Sequence, residues 1–561
     1  MLKQTLAYSP PYGVNYLKDI ETIAFMGKCG INVMKLILSN SFSRLGVPYS
    51  PYPPIWRGPY DYDLSVIDRQ VADAVAQNPD IEFIVMLDLN SPPFLRMNPE
   101  LDSFNNLVEC YLNEQWMSLV KAFQETLLRY LEKSFSERIV AYYIAGGRTQ
   151  EWFDYGLDEI RPLRSRRYPR WCEENKRRLM ELPQPGDSDV TPVPPRLAQW
   201  REYGSALVRE CCSFFFQRTR EFIRPGIPIG GVFGNIHDFG ALSHLDAEQF
   251  YKTVHPDYYI GPSCNSKIAM GGASGFQSAQ LMLKRYGAGY LHSCDRLLST
   301  SSKEIGPGIM LPESPILNRQ HSVPEDIACL KREFAIALVH GFSLWFFNIW
   351  GFAYSGQEVR RLFMEFGPLW RKYAGLSSGT DAETLLVFDP DSDCRIGNDG
   401  AWGNAMLRRE ILPEAGITFT TAAFSDLESC DLSPYRMIIF QYLYGPEAKK
   451  LKVIQERACS QGRTVIGLPG DSCHNQWTSE ELRKAGIIAK IHFFTDDSDV
   501  KVWSSPEFLF AHSEFGGRKH FRLKRRAAKI TEIFSGNIIA VDTDEFDDDF
   551  AKPDTRLYYL V

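Results

Sequence analysis

The sequence lacks any CxxC pair and any Cys/His cluster of zinc spacing; its 12 cysteines are scattered, with only Cys211 and Cys212 adjacent. That excludes a zinc module and a disulfide scaffold, and reads as the reduced thiols of a cytoplasmic protein. No apolar run follows the opening MLKQTLAYSPPYG, so no secretory leader is expected. There is no excess of positive charge. Lys+Arg total 62 against 69 Asp+Glu, a net −7, which is unsuited to gripping a polyanion and excludes nucleic acid as a partner. GxGxxG and P-loop motifs are missing, so no nucleotide cofactor is expected. The acidic run DEFDDD has no EF-hand order; it reads as a solvated turn, and no metal is expected. The most apolar stretch, 334–353, is interrupted by His340, Gly341, Asn348 and Gly351, so it reads as a helix running into a buried strand, with no membrane partner.

What is present is a regular alternation of β-rich runs and amphipathic stretches. Eight strands are predicted, at Tyr8–Val14, Ile31–Leu38, Ile81–Leu87, Arg138–Ile144, Pro228–Phe233, Tyr258–Ser263, Gly287–His292 and Phe342–Ile349. Eight β/α units predict a TIM barrel over residues 1–378. An arginine cluster (Arg161, Arg164, Arg166, Arg167, Arg170) and a Pro-rich loop follow the fourth strand, and the arginines read as a solvated face. TLLVFDP, ITFTT, RMIIFQYL and RTVIGLPG predict a small doubly wound α/β domain at 379–492, where Cys473 reads as structural. KHFRLK, NIIAVDT and RLYYLV predict a small β-sandwich-like domain at 493–561.

Barrel chemistry sits at the C-terminal ends of the strands, so the residues there are the candidates. After the fourth strand comes AGGRTQEWFDYG, with Arg148, Glu151 and Trp152; an aromatic beside a carboxyl desolvates it and raises its pKa, as a general acid needs. Trp56 is a candidate stacking platform after the second strand, and Asn90 follows the third. The fifth strand end offers Asn235 and His237, the sixth Ser263 and Asn265, and the eighth Trp345, Asn348 and Trp350. At the seventh, YLHSCDRLLST brings His292, Ser293 and Asp295; Ser293 and Asp295 share a face of an extended chain. Aromatics at 13% supply both a large core and candidate sugar platforms.

Several of these motifs occur together in one known group. GPYDYDLSVID after a tryptophan, VMLDLNSPP, RIVAYYIAGGRTQEWFDYG, and CDRLLST followed by REFAIALVHGFSLWFFNIWG resemble the clan A glycoside hydrolases, most closely the family 42 β-galactosidase-like group. The resemblance spans the whole chain. It implies a retaining glycosidase acting on an oligosaccharide or glycoside without a cofactor. It implies a trimerisation role for the α/β domain, hence a homo-oligomer, and the acid/base role for Glu151. The usual nucleophile position carries Ser293, and an aspartate expected further on is Asn348. Three readings stay open: a chain that binds carbohydrate without cleaving it, an engineered nucleophile variant, or a chain in which Asp295, Glu304 or Glu313 supplies the second carboxylate.

Overall fold

The computed structural model describes residues 4–233, 245–263, 270–277, 279–312, 319–397, 406–441, 443–444, 448–467 and 477–561. Eight parallel strands close into a ring in chain order: β1 (Leu6–Ser9), β2 (Val33–Leu38), β3 (Glu82–Asp88), β4 (Ile139–Ala145), β5 (Ile229–Val232), β6 (Tyr258–Pro262), β7 (Gly289–Cys294) and β8 (Ser343–Phe347). A helix follows each one: α1 (Glu21–Lys28), α2 (Ser65–Gln77), α3 (Glu114–Phe135), α4 (Pro195–Phe222), α5 (Ala247–Val254), α6 (Gln280–Tyr286), α7 (Val323–His340) and α8 (Gln357–Tyr373). This is the expected TIM barrel. All eight predicted strands exist. The first ends at Ser9 instead of Val14, because Pro10 and Pro11 have no N–H to give to a neighbouring strand. The seventh runs two residues beyond its expected end, which puts Ser293 inside the strand.

Alternation along the strands sorts the core into two. Outward residues pack under the helices. Inward residues, including Ile37, Ile84, Met86, Tyr143, Tyr258, Ile260, Leu291, Trp345 and Phe347, fill the lumen. Gly230 faces Tyr258 across β5 and β6, where a Cβ would lie 2.5 Å from the tyrosine ring; the glycine makes room for that ring. Four of the five clustered arginines lie on a helix at Pro162–Glu174, with Arg161 as the residue just before it. Arg161, Arg167 and Arg170 pair with Glu159 and Glu174 as a solvated face should. Arg164 departs from that expectation. It is buried, and its guanidinium donates to the carbonyls of Gly156 and Leu157, where the chain turns back into this helix.

The second unit is a four-stranded parallel sheet in the order β10-β9-β11-β12, with β9 at Thr384–Phe388, β10 at Phe419–Ala423, β11 at Met437–Gln441 and β12 at Thr464–Ile466. It joins the barrel through α6, where Gln280 bonds both Thr421 Oγ1 and the Thr421 amide. The tail forms one five-stranded antiparallel sheet, β13 (Lys501–Ser504), β14 (Phe508–Ser513), β15 (Gly517–Glu532), β16 (Ile538–Phe550) and β17 (Asp554–Leu560), in the order β13-β14-β17-β15-β16. A single sheet replaces the expected sandwich. One of its faces joins the core under α7 through Phe508, Phe510 and Leu557, and the other packs around Phe521, Phe546 and Tyr558. The acidic run is strand β16, not a turn. Arg518, His520 and Arg526 of β15 pair with Asp547 and Asp542 across the ladder, and this cross-strand neutralisation makes a strand of it.

The all-round apolar character of 334–353 now has a cause: α7 is packed on the barrel on one side and under the tail sheet on the other. Phe334 stacks on Phe366 of α8 at 4.4 Å and meets Phe534 of the tail at 6.0 Å. Phe334→Ala is expected to cost about 3–5 kcal/mol in denaturant unfolding monitored by tail and barrel probes together; an effect under about 1 kcal/mol contradicts this packing.

Candidate active site

The loop after β4 presents Glu151, and it does so under strain. Thr149, Gln150 and Trp152 all have left-handed backbones (φ 55°, 65° and 59°), beside Gly147 at 66°. For a β-branched threonine this conformation is costly, and it persists only where the surroundings impose it. Here they do. Asn90 donates to the Gly147 carbonyl (2.9 Å), Tyr143 Oη to the Gln150 carbonyl (3.1 Å) and Trp152 N–H to the Gly146 carbonyl (2.6 Å). Gln150 donates to Asp88 at the tip of β3 (2.9 Å), and Asp88 also accepts from Ser39 (2.5 Å), from Ser41 and from the Asn90 amide (3.0 Å). The buried Asp88 carboxylate therefore ties the ends of β2 and β3 to the Glu151 loop.

Across the mouth, β7 delivers Asp295. Leu291 lies in the lumen, so Ser293 and Asp295, at steps of two, point the same way. Behind the strand His292 and Arg296 are pinned to Glu333 of α7, at 2.8 and 3.3 Å. These anchors on either side fix Asp295 between them. Its Oδ1 is buried and has no hydrogen-bond partner among the described residues.

The charge of Asp295 reaches Glu151. Burial first, then the charge of Asp295, pushes Glu151 from 4.5 up to about 8, against a hydrogen bond from Thr149. Burial raises Asp295 from 3.8 to about 6, while Arg296 and His292 pull it down. Tyr12, in the turn after β1, is held protonated by burial first and then by the charges of Glu151, Asp295 and Asp88. Near pH 7 this environment keeps one proton on Glu151 and leaves Asp295 ionised, a division of labour suited to acid–base chemistry at one bond.

The other sequence candidates divide by face. Trp345 lines the lumen, and its indole N–H donates to Ser293 Oγ at 2.5 Å. Ser293 is thus a buried wall hydroxyl, with no activating base bonded to it among the described residues. Trp350 joins the same cluster edge-on to Tyr12. Arg148 sits at the rim over Tyr155, 4.3 Å from the ring centre. Asn90 is spent on the loop contact above. Four others face away. Trp56 is 1% exposed and stacked on Phe123 of α3, so it offers no platform. Trp152 is buried against Phe215 and Phe216 of α4 and donates to the Ile144 carbonyl, on the far side of the loop from the lumen. His292 is behind β7. Asn348 is buried behind β8, bonded to Asp19 and Tyr8, because it lies an odd step from Trp345. Glu304 is exposed on a small hairpin, Glu304–Gly306 with Ile309–Met310. Ser263 is buried, its amide bonded to the Ser293 carbonyl. Asn235, His237, Asn265, Glu313 and Cys473 lie outside the described residues. Sequence reasoning missed Tyr12, Lys35, Asp88 and Gln150. The lone lysine in VMKLIL and the lone aspartate in VMLDLN were the available signals, each in step with apolar lumen residues.

Among the described residues no cluster could hold a metal ion, and no helix is long and apolar enough to cross a membrane. A cavity of about 670 Å³ lies away from Glu151, where Arg177, Arg209 and Asp246 face Asp391, Arg395 and Lys450 of the α/β unit.

No protein-family model and no curated protein matches the sequence. Solved structures do. The fold is that of β-galactosidases. The chain aligns with β-galactosidase from Bacillus circulans sp. alkalophilus at a TM-score of 0.68 and 11% identity, over 100% of this chain and 99% of that one. The β-galactosidase of the psychrophilic Marinomonas ef1 gives 0.61 and 9%, over 99% and 100%. A GH42 exo-carrageenase from Bacteroides ovatus gives 0.59 and 10%, over 100% and 82%. The barrel and its two smaller units are thus matched in three dimensions, as a fold, along the chain.

A proton retained by folded Glu151 up to about pH 8, but released near 4.5 in the unfolded chain, makes stability fall as pH rises through that window. Glu151→Gln removes this loss. The melting temperature of Glu151→Gln relative to wild type is expected to rise between pH 5 and pH 8; a constant difference contradicts the raised pKa.

Proposed function

We propose that the chain is a glycoside hydrolase acting on β-linked galactosides or related sugars, with Glu151 as the proton donor and Asp295 as the second carboxylate. One observation carries this reading. Two buried carboxyls, one in the loop after β4 and one at the end of β7, are close enough for the charge of Asp295 to raise Glu151, and their pKa values are raised to about 8 and about 6. Glu151 protonates the glycosidic oxygen as the bond to the anomeric carbon breaks, and the sugar develops oxocarbenium character. Asp295, ionised, takes the anomeric carbon or removes a proton from the attacking water; the anomer first formed, seen by NMR, tells the two apart. Trp345, Trp350, Tyr12 and Arg148 are the ring faces and donors we assign to the sugar. Ser293, at the usual nucleophile position, serves to seat Trp345.

The same serine favours a second reading, a carbohydrate-binding protein without turnover, in which calorimetry shows oligosaccharide binding and no cleavage. In either case we expect a homo-oligomer, a trimer by resemblance, assembled through the α/β unit. The described cysteines are all free thiols, in keeping with a cytoplasmic location.

With nitrophenyl glycosides, Glu151→Gln and Asp295→Asn are each expected to lower kcat/KM by about 10²-fold or more, and Ser293→Ala by less than about tenfold. The wild-type kcat/KM profile is expected to be a bell with limbs near 6 and 8, values that belong to the pair. Equal rates in wild type and both carboxyl variants defeat the proposal.

A further inference from the structure

The lumen of the barrel holds one residue that packing does not explain. Lys35 lies on β2 between the lumen residues Val33 and Ile37 and is 1% exposed. Its ammonium sits 4.0 Å from the ring centre of Phe347, 4.8 Å from that of Tyr12 and 5.2 Å from that of Trp345. Its bond is a long one, donated to Tyr12 Oη at 3.5 Å. Ring faces attract a cation but do not neutralise it. No carboxylate of the described residues stands within ion-pair distance of Nζ, so the lysine is buried without a contact partner, a costly arrangement for a core position.

Its place in the lumen indicates the use. Trp345 packs against the Lys35 ammonium and holds Ser293 by its indole N–H, and Asp295 is the next residue on that face of β7. Trp345 thus links Lys35 to the face of β7 that carries Ser293 and Asp295, all of them turned to the lumen. Burial pushes the Lys35 amine well below the usual lysine range, and the charge of Asp295 opposes that by favouring the ammonium. The other charged and titratable groups about Asp295 are Arg296, His292 and Cys294 on or behind β7, Glu333 of α7, Glu151 across the mouth, and Tyr12 and Tyr354. Arg296 and His292 are already paired with Glu333. Both also lower Asp295 from behind the strand, but they share their charge with Glu333; among the described residues Lys35 is the cation on the lumen side that no other carboxylate engages.

We infer that Lys35 is the counter-charge of Asp295: the ammonium caged by Tyr12, Trp345 and Phe347 holds the Asp295 carboxylate ionised and fixed at the floor of the mouth. Lys35 is then a positioning residue, acting through Asp295. Its part in catalysis rests on the glycosidase reading of the carboxyl pair; its electrostatic partnership with Asp295 does not.

The test is a double-mutant cycle of Lys35→Met and Asp295→Asn on the full chain, read by unfolding at pH 7.5 and 4.5. At pH 7.5 the two substitutions are expected to be non-additive by at least about tenfold in the unfolding equilibrium constant, with Asp295→Asn more favourable in the Lys35→Met background. At pH 4.5, where Asp295 holds its proton, the coupling is expected to vanish. Additive effects at both pH values overturn the inference, as does a coupling of equal size at both, which a steric contact gives. Lys35→Gln replaces Lys35→Met in the same cycle should the latter not fold. Where turnover is measurable, Lys35→Met is also expected to move the acidic limb of the kcat/KM profile up by about one pH unit. Absence of turnover defeats the glycosidase reading but leaves the cycle intact as a measure of the Lys35–Asp295 interaction.

Discussion

Desolvation of two carboxyls at a poorly solvated barrel mouth, with the charge of one adding to it at the other, governs this site. A closed ring of parallel strands sends every second side chain toward one axis, and at the C-terminal rim it brings together groups far apart in sequence. Asp88, Glu151 and Asp295 come from β3, the loop after β4 and the end of β7. Water is scarce there, because Tyr12, Tyr143, Trp345 and Phe347 fill the lumen beneath. In such surroundings two nearby carboxyls cannot both ionise at the pH of free acids. The proton that remains is the one an acid catalyst needs.

The rest of the structure can be read as support for that arrangement. Asp88 restrains the strained 147–152 loop from one side. The buried cluster of Glu333, His292 and Arg296 restrains Asp295 from behind, and α7, which carries Glu333, is itself clamped between the barrel and the tail sheet. The tail is thus more than an appendage. It covers the apolar outer face of the helix that anchors one of the two carboxyls.

Much of the fold was legible because strand alternation and helix periodicity are strong, local signals. All eight barrel strands and the four of the α/β unit follow from them. The site was only partly legible, because a residue near a strand end in sequence can lie on either face. Parity decides: Leu291, Ser293 and Asp295 face the lumen and His292 cannot; Trp345 and Phe347 do and Asn348 cannot. Trp56 and Trp152 needed knowledge of the helices they pack against, Phe123 on α3 and Phe215 on α4, which no local pattern carries. The acidic strand β16 was misread because its neutralising partners sit on β15, and pairing between strands is invisible to a one-strand reading. Lys35 and Asp88 broke apolar runs in the sequence, and such breaks at lumen parity proved the better guide to the mouth than the more conspicuous tryptophans.

Carbon-13 NMR titration of the Glu151 carboxyl, in wild type and in Asp295→Asn, tests the coupled pair directly. The account predicts a midpoint near 8 in wild type that falls clearly when Asp295 loses its charge. A midpoint in the usual carboxylic acid range, or one that Asp295→Asn leaves unmoved, contradicts it.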